Sequence, residues 1–266
     1  IEKKFSMHNP ESPVYDFNMN NISITDNEIT NLVKTSQIIS EKSKGAFDIT
    51  IAPVIRLWGF YESAPRVPKE EEIAETLKKT GYKNLVILNN TLIKMKEQVQ
   101  IDLGSIAKGY AVSEAVKVIK NAGIRSALID AGGDIYALGR PGEKYWKVGV
   151  RNPRGEGIIG VLELADTAVV TSGDYERAFE KDGKRYHHII DPDTGYPAQG
   201  LSSVTIVSPD PTLADAYATA VFVLGKDKGM KFVEALQFTE ALLITNKGKK
   251  LYSKGLKNIY KDIEEK

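Results

Sequence analysis

No cysteine occurs among the 266 residues. Disulfides, thiolate nucleophiles and sulfur-ligated metals are therefore excluded, while the redox compartment stays open. Histidine is scarce too, with three in all, so imidazole chemistry has few places to sit. No apolar run approaches the roughly 18 residues that a membrane span needs. Neither sign of charge dominates: 36 basic against 35 acidic residues leave a net charge of +1. That balance gives no reason to expect nucleic acid or a polyanionic surface as partner. Internal repeats, low-complexity segments and long linkers are also missing. The opening, IEKKFSMHNP, has neither an initiator methionine nor an apolar signal core. The expectation is a chain whose targeting segment has been processed away, although simple trimming gives the same start.

What is present is ordinary for a globular protein, with 42% hydrophobic and 27% charged residues, and it suffices to bury a substantial core. Residues 1–25 are rich in Asn, Ser and Pro and read as irregular. Asp26 is placed to cap a helix through about Lys42, and Pro53 to Phe60 reads as a short helical turn. A Pro-containing loop is expected over Ala64 to Pro68, then a helix over Glu70–Lys79. Leu85–Leu88, Leu92–Met95 and Val99–Asp102 read as short strands, with Asn89-Asn90 as a hairpin turn. A helix follows over Ile106–Asn121. Further strands are expected at Ser126–Asp130, Ile135–Leu138, Trp146–Val150, Ile158–Leu164, Ala168–Thr171, Tyr186–Ile190 and Ser203–Val207. Asp210-Pro211 opens a helix to about Leu224, and Lys226–Leu236 forms another. Glu240–Thr245 and Lys250–Tyr252 make a last strand pair, and Lys261 to Lys266 reads as a frayed tail. Strands outnumber helices and many are joined by short turns. The expected class is α+β, one domain over residues 1–266 with mixed, mostly antiparallel sheets flanked by helices.

Chemistry-bearing residues gather in a few turns. In Asp102-Leu-Gly-Ser-Ile-Ala-Lys-Gly109 a strand meets a helix. Glycines allow close approach, free amides at a helix start attract anions, and Lys108 adds charge. This is either a phosphate cradle or a tight turn with a solvated lysine, and the Walker spacing fails. Gly132-Gly133-Asp134 lacks the spacing and helix of a dinucleotide fingerprint, so it is a backbone contact for a ligand or a bare turn. Asp215 and Thr219, four apart on a helix, share a face and offer hard oxygens suited to Mg²⁺. Two donors alone fall short of a shell. His187 and His188 point to opposite faces of a strand. One is a candidate proton carrier and the other solvated or structural. The apolar run Ala168–Thr171 is expected to enter a Ser172-Gly173-Asp174 turn. Ser172 lacks a G-x-S-x-G elbow, which leaves a Ser/His hydrolase as a weak alternative and a turn or ligand contact as the better one.

In order along the chain, Phe47-Asp-Ile-Thr50 with Leu57-Trp-Gly-Phe60, Ile101-Asp-Leu-Gly-Ser-Ile-Ala-Lys-Gly-Tyr-Ala111, Asp130-Ala-Gly-Gly-Asp134, Thr171-Ser-Gly-Asp-Tyr-Glu-Arg177, His188-Ile-Ile-Asp-Pro-Asp-Thr-Gly-Tyr-Pro197 and Asp215-Ala-Tyr-Ala-Thr219-Ala resemble the ApbE flavin transferase family. The resemblance implies a reaction on FAD. With Mg²⁺ on its pyrophosphate, FMN passes to a Ser or Thr hydroxyl of an acceptor flavoprotein and AMP leaves. It implies Asp215, Thr219 and the Ala107 carbonyl as metal ligands and His188 as the catalytic residue. Lys108, Gly132, Gly133, Asp134, Ser172, Gly173, Asp174 and Thr194 are implied as FAD contacts. Similar proteins that hydrolyse FAD to FMN and AMP make a pyrophosphatase the alternative, and a non-catalytic FAD-binding protein is a third reading. The resemblance also implies an extracytoplasmic location (periplasm or the outer face of the cell membrane) with a lipid tether. It implies an opening Met-Gly-Thr strand before the part matched here. Ser105 stands where glycine is common in the family.

Overall fold

The computed structural model describes residues 1–61 and 65–263. In chain order the elements are α1 (Glu2–Phe5), α2 (Pro13–Met19), α3 (Asn27–Lys42), α4 (Ala52–Leu57), α5 (Glu70–Leu77), β1 (Leu85–Leu88), β2 (Thr91–Lys94), α6 (Ala107–Asn121), β3 (Ala127–Ala131) and β4 (Asp134–Leu138). Then come β5 (Trp146–Arg151), β6 (Ile158–Leu164), β7 (Thr167–Gly173), β8 (Ala178–Lys181), β9 (Lys184–His187), β10 (Leu201–Ser208), α7 (Pro211–Glu234), β11 (Glu240–Thr245), β12 (Lys250–Tyr252) and β13 (Tyr260–Asp262). Every pairing between these strands is antiparallel. The class is mixed α+β, as expected. The chain groups into two compact units, Ile1–Ala107 with Glu176–Ala198, and Lys108–Tyr175 with Gln199–Lys266. Among the described residues no helix is long and apolar enough to cross a membrane.

In the first unit, side-chain caps set the starts of α2 and α3. Ser12 accepts from the Val14 amide at the start of α2 and Asp26 from the Glu28 and Ile29 amides at the start of α3, satisfying donors that a helix leaves open. Trp58, Val54, Ile55, Ile51, Ile73 and Ile190 form the core here, with Phe60, Phe179, Tyr186 and Tyr196 packed against it. Residues 1–25 are a correction: they hold two short helices, because Pro13 and the Ser12 cap start one and Phe5, Val14 and Phe17 are buried. Val99–Asp102 is a second correction, since no strand forms. The Ile101 amide and carbonyl are both bonded by the Asn18 side chain at 2.8 Å, and the Asp102 amide goes to the Ile49 carbonyl at 2.8 Å. The backbone is satisfied without a partner strand. The strand expected at Tyr186–Ile190 is shorter and earlier. It pairs with β8 around an Asp182-Gly183 turn, and Ile190 keeps only an isolated bridge to Pro197. Ala64 of the expected loop, like residues 264–266 of the expected tail, lies outside the described residues.

In the second unit, a six-stranded sheet runs in the order β12-β11-β10-β7-β4-β3, and a three-stranded sheet in the order β13-β6-β5. Val169, Val207, Leu242 and Ile244 from the first meet Val148, Val150, Leu162 and Leu164 from the second in a shared core. Helix α7 packs on β7 and β10. Asp210 caps it through the Thr212 and Leu213 amides. The two helices expected over 211–224 and 226–236 form one run, but Gly225 (φ 72°, ψ −177°) breaks the helical path between them. The turn expected at Ser172-Gly173-Asp174 begins later, because β7 stays paired with β10 through Gly173, opposite Ser203. Lys261 and Asp262 are not frayed: they pair with β6 as part of β13.

Candidate active site

Of the candidate residues of the second unit, Lys108, Asp134, Ser172, Asp215 and Thr219 gather about the start of α6 and the first turns of α7. Gly109 has no side chain to spare. A Cβ there would meet the Pro211 carbonyl oxygen at 2.2 Å and the Asp215 Cβ at 2.8 Å. The bare glycine lets the two helices approach, and its N–H donates to Asp215 Oδ2 at 2.9 Å. Asp215 is buried. Burial, then repulsion from Asp134, pushes its pKa up to about 7, against the pull of the Gly109 N–H and Lys108. Thr219 lies one turn further along α7, on the same face. Its Oγ1 stands 3.5 Å from Ser172 Oγ, at the limit of a hydrogen bond. Ser172 faces α7 from β7, as the alternation along a strand requires.

Lys108 reaches Asp134 Oδ1 at 2.7 Å, and the Asp134 side chain is 1% exposed against 50% for Lys108. The other carboxylate oxygen, Asp134 Oδ2, is buried with no hydrogen-bond partner among the described residues. Burial raises the Asp134 pKa, Lys108 opposes the rise, and Asp130 adds to it. Gly132 (φ 64°) and Gly133 (φ 96°) form the two-residue loop between Ala131 and Asp134. Both φ values are positive, as a type I′ hairpin turn demands, so the glycine pair is accounted for by the turn itself. The Asp174 carboxylate is fully engaged, with Arg154 on both oxygens at 2.7 and 2.5 Å. Sequence reasoning missed Arg154, which sits in the loop between β5 and β6. Nothing local distinguishes it from other surface arginines, and only a buried acid needing a partner could have pointed to it.

A divalent cation fits the donors of this unit. Asp215 is pushed toward neutrality and Asp134 Oδ2 has no hydrogen-bond partner among the described residues, so the single Lys108 charge does not fully compensate the two buried carboxylates. Among the described residues no three His, Cys, Asp or Glu side chains group closely enough to hold a metal alone. A hard cation would therefore draw on hydroxyl and backbone oxygens as well, which suits Mg²⁺.

The first unit carries Ala107, His188 and Thr194. Ala107 opens α6, with its N–H on the Leu103 carbonyl at 2.8 Å. The two histidines divide as strand alternation predicts. His187 is buried, its Nε2 2.8 Å from the Ala198 carbonyl. His188 is half-buried just past β9, its N–H on the Arg177 carbonyl at 3.1 Å and its Nδ1 3.4 Å from the same oxygen. A carbonyl only accepts, so this contact favours the proton on Nδ1 and the lone pair on Nε2. Asp191 organises the following turn: its carbonyl takes the Gly195 amide at 2.8 Å and its Oδ1 the Asp193 amide at 2.9 Å. Thr194 is exposed, and its Oγ1 accepts from the Tyr196 amide at 3.3 Å. Trp58 Nε1 donates to the Gly195 carbonyl at 2.8 Å and ties the turn to the core.

Residues 1–243 match the model of the ApbE family. The FAD:protein FMN transferase of Treponema pallidum is 37% identical over 83% of this chain and 66% of its own length. That of Haemophilus influenzae is 33% identical over 92% of this chain and 75% of its own. The crystal structure of the ApbE protein from Thermotoga maritima superposes with a TM-score of 0.91 at 39% identity, covering 98% of this chain and 87% of that one. The flavin transferase ApbE from Vibrio cholerae gives 0.86 at 31% identity, over 97% and 86%. The chain belongs to the ApbE family. It spans about two thirds of the Treponema relative and three quarters of the Haemophilus one.

Proposed function

We infer that this chain is an FAD:protein FMN transferase, acting on a Ser or Thr hydroxyl of an acceptor flavoprotein. The reading is carried by the match of residues 1–243 to the ApbE family model and by the similarity to relatives that bear this name. The buried Asp215 carboxylate, pushed toward neutrality, with the Thr219 hydroxyl on the same helix face, supports it. The acceptor oxygen attacks the phosphorus of the FMN half of FAD, the bond to the bridging oxygen breaks, and AMP leaves with that oxygen. Positioning and charge neutralisation carry most of the catalysis in such a transfer.

Asp215, Thr219 and the Ala107 carbonyl would hold Mg²⁺. Mg²⁺, when bound, would neutralise the pyrophosphate and the negative charge that develops on the leaving phosphate. Lys108, oriented by Asp134, adds a second positive charge for the phosphates. His188, with Nδ1 turned to the Arg177 carbonyl, would take the acceptor hydroxyl proton at Nε2. Gly132, Gly133, Asp134, Ser172, Gly173, Asp174 and Thr194 remain proposed FAD neighbours. For Asp174 the contact would run through its backbone, since Arg154 occupies its carboxylate. On the resemblance alone we also propose an extracytoplasmic location with a lipid tether, which cell fractionation tests.

The deciding experiment incubates the protein with FAD, Mg²⁺ and a flavoprotein acceptor, then weighs the acceptor and measures AMP. An acceptor heavier by FMN supports the transferase. AMP without a modified acceptor means a pyrophosphatase, and bound FAD without AMP means a binding protein. Asp215→Ala abolishes either catalysis if the metal assignment holds.

A further inference from the structure

The β8–β9 hairpin carries a feature that FMN transfer chemistry leaves unused. Its register sets Phe179 opposite Tyr186, Glu180 opposite Arg185 and Lys181 opposite Lys184. Directly opposed side chains share a face, and faces alternate along each strand. Phe179, Tyr186, Lys181 and Lys184 therefore lie on one face, and Glu180 and Arg185 on the other. On the second face the charges cancel, with Arg185 Nη2 3.1 Å from Glu180 Oε1. On the first they add.

Lys181 and Lys184 are exposed at the tip, and neither has an ion-pair partner among the described residues, Asp182 in the turn included. Lys184 has only the face of Tyr186, its Nζ 5.2 Å from the ring centre. Like charges directly opposite each other destabilise a hairpin, and a lone two-stranded ribbon is marginal to begin with. The base below the lysines is firm. Phe179 stacks on Tyr186 at 5.2 Å, and these rings abut Phe60 and Trp58 at 5.7 and 5.4 Å. The stem runs straight into His188, whose N–H closes on the Arg177 carbonyl.

We propose that this hairpin docks an acidic, extended segment of the acceptor protein, whose carboxylates pair with Lys181 and Lys184. The proposal rests on the transferase reading. An anionic partner relieves the lysine repulsion, and the open strand edges offer main-chain pairing to an extended segment. Lys184 precedes His188 by four residues, roughly 13 Å of extended chain. The docked segment then carries its acidic residues about four positions from the hydroxyl that His188 serves.

Fluorescence anisotropy tests this with a labelled synthetic peptide holding one threonine with aspartates four and six positions away, on one face of an extended segment. Matched peptides carry asparagine or lysine in place of the aspartates. The acidic peptide is expected to bind the unaltered protein at low salt at least tenfold more tightly than the asparagine peptide, and to lose that advantage in Lys181→Glu/Lys184→Glu. The lysine peptide gains affinity for the charge-reversed protein. Retained FAD affinity, read by flavin fluorescence, shows the variant folded. Equal binding of the acidic and asparagine peptides overturns the docking proposal, as does unchanged affinity in the double variant. Anisotropy needs no turnover, so docking without FMN transfer tells against the transferase reading alone.

Discussion

The Gly109 amide donates to Asp215 Oδ2 across 2.9 Å, and the same glycine sits where a Cβ would be 2.2 Å from the Pro211 carbonyl oxygen. One residue thus sets both the spacing of two helices and the orientation of the proposed metal carboxylate. Gly109→Ala must push backbone from backbone, and overpacking of this kind costs about 1–3 kcal/mol. The expected result is a lower Tm together with weaker Mg²⁺ binding, read by thermal unfolding with and without the metal. An alanine variant with unaltered Tm and Mg²⁺ affinity would show that the helices part freely here.

Asp215 also predicts a pH dependence. In the unfolded chain its pKa returns to near the ordinary carboxylate value of 3.8, while in the metal-free fold it is raised to about 7. The metal-free fold therefore holds this proton more tightly than the unfolded chain does. That contribution to stability is full below about pH 4 and is lost as the pH rises through about 7. Mg²⁺ needs the ionised form and must displace the proton at lower pH. Its affinity is expected to fall up to tenfold per pH unit below about 7, with protons released on binding. Calorimetry in buffers of different ionisation enthalpy measures both. Asp215→Asn removes the metal-free pH trend, and a metal affinity flat from pH 5.5 to 8 sinks the assignment.

Much of this was legible in the chain because local rules and tertiary structure agree. Asp26 and Asp210 cap the helices they were expected to cap, and the Asn89-Asn90 turn joins the hairpin expected of it. Asp215 and Thr219 share a helix face because spacing alone places them there. Two of the failures share a cause: a partner distant in sequence replaced a local one. Asn18 satisfies Ile101 from 83 residues away, so an apolar run became extended coil and not a strand. Arg154 finds Asp174 across 20 residues. The β8 strand was overlooked because its residues are charged, and only its register with β9 reveals two faces of different chemistry.

Arg154 should matter for stability more than a surface arginine usually does. Its fork covers both oxygens of a nearly buried carboxylate, with side-chain exposures of 37% and 8%. Removing one partner of a buried pair costs about 3–5 kcal/mol. Because Arg154 itself is partly exposed, about 1–3 kcal/mol is expected for Arg154→Ala after allowing for solvent screening. Asp174→Asn removes the charge that needs a partner and is expected to cost less than Arg154→Ala. Urea denaturation of the two variants gives the order, and the reverse order would mean that the guanidinium, not the carboxylate, is the costly group to orphan.

Trp58 links the hydrophobic core to the turn that follows the proposed base. Its ring is fully buried, and its Nε1 donates to the Gly195 carbonyl at 2.8 Å. Gly195 itself needs a positive φ of 71° and has Ile73 Cγ2 2.4 Å from where a Cβ would stand. The turn therefore cannot shift toward α5 to find another donor. Trp58→Phe keeps most of the apolar volume but leaves that carbonyl without its donor, a loss of about 1–3 kcal/mol. Trp58→Ala adds a cavity, for about 3–5 kcal/mol. Misplacement near 1 Å costs a catalytic step about a hundredfold, so Trp58→Phe is expected to lower the rate of FMN transfer by about tenfold or more. Single-turnover transfer separates that effect from substrate binding, and denaturant unfolding reports the stability. A phenylalanine variant as stable and as fast as the original would show that the indole N–H holds neither the turn nor His188.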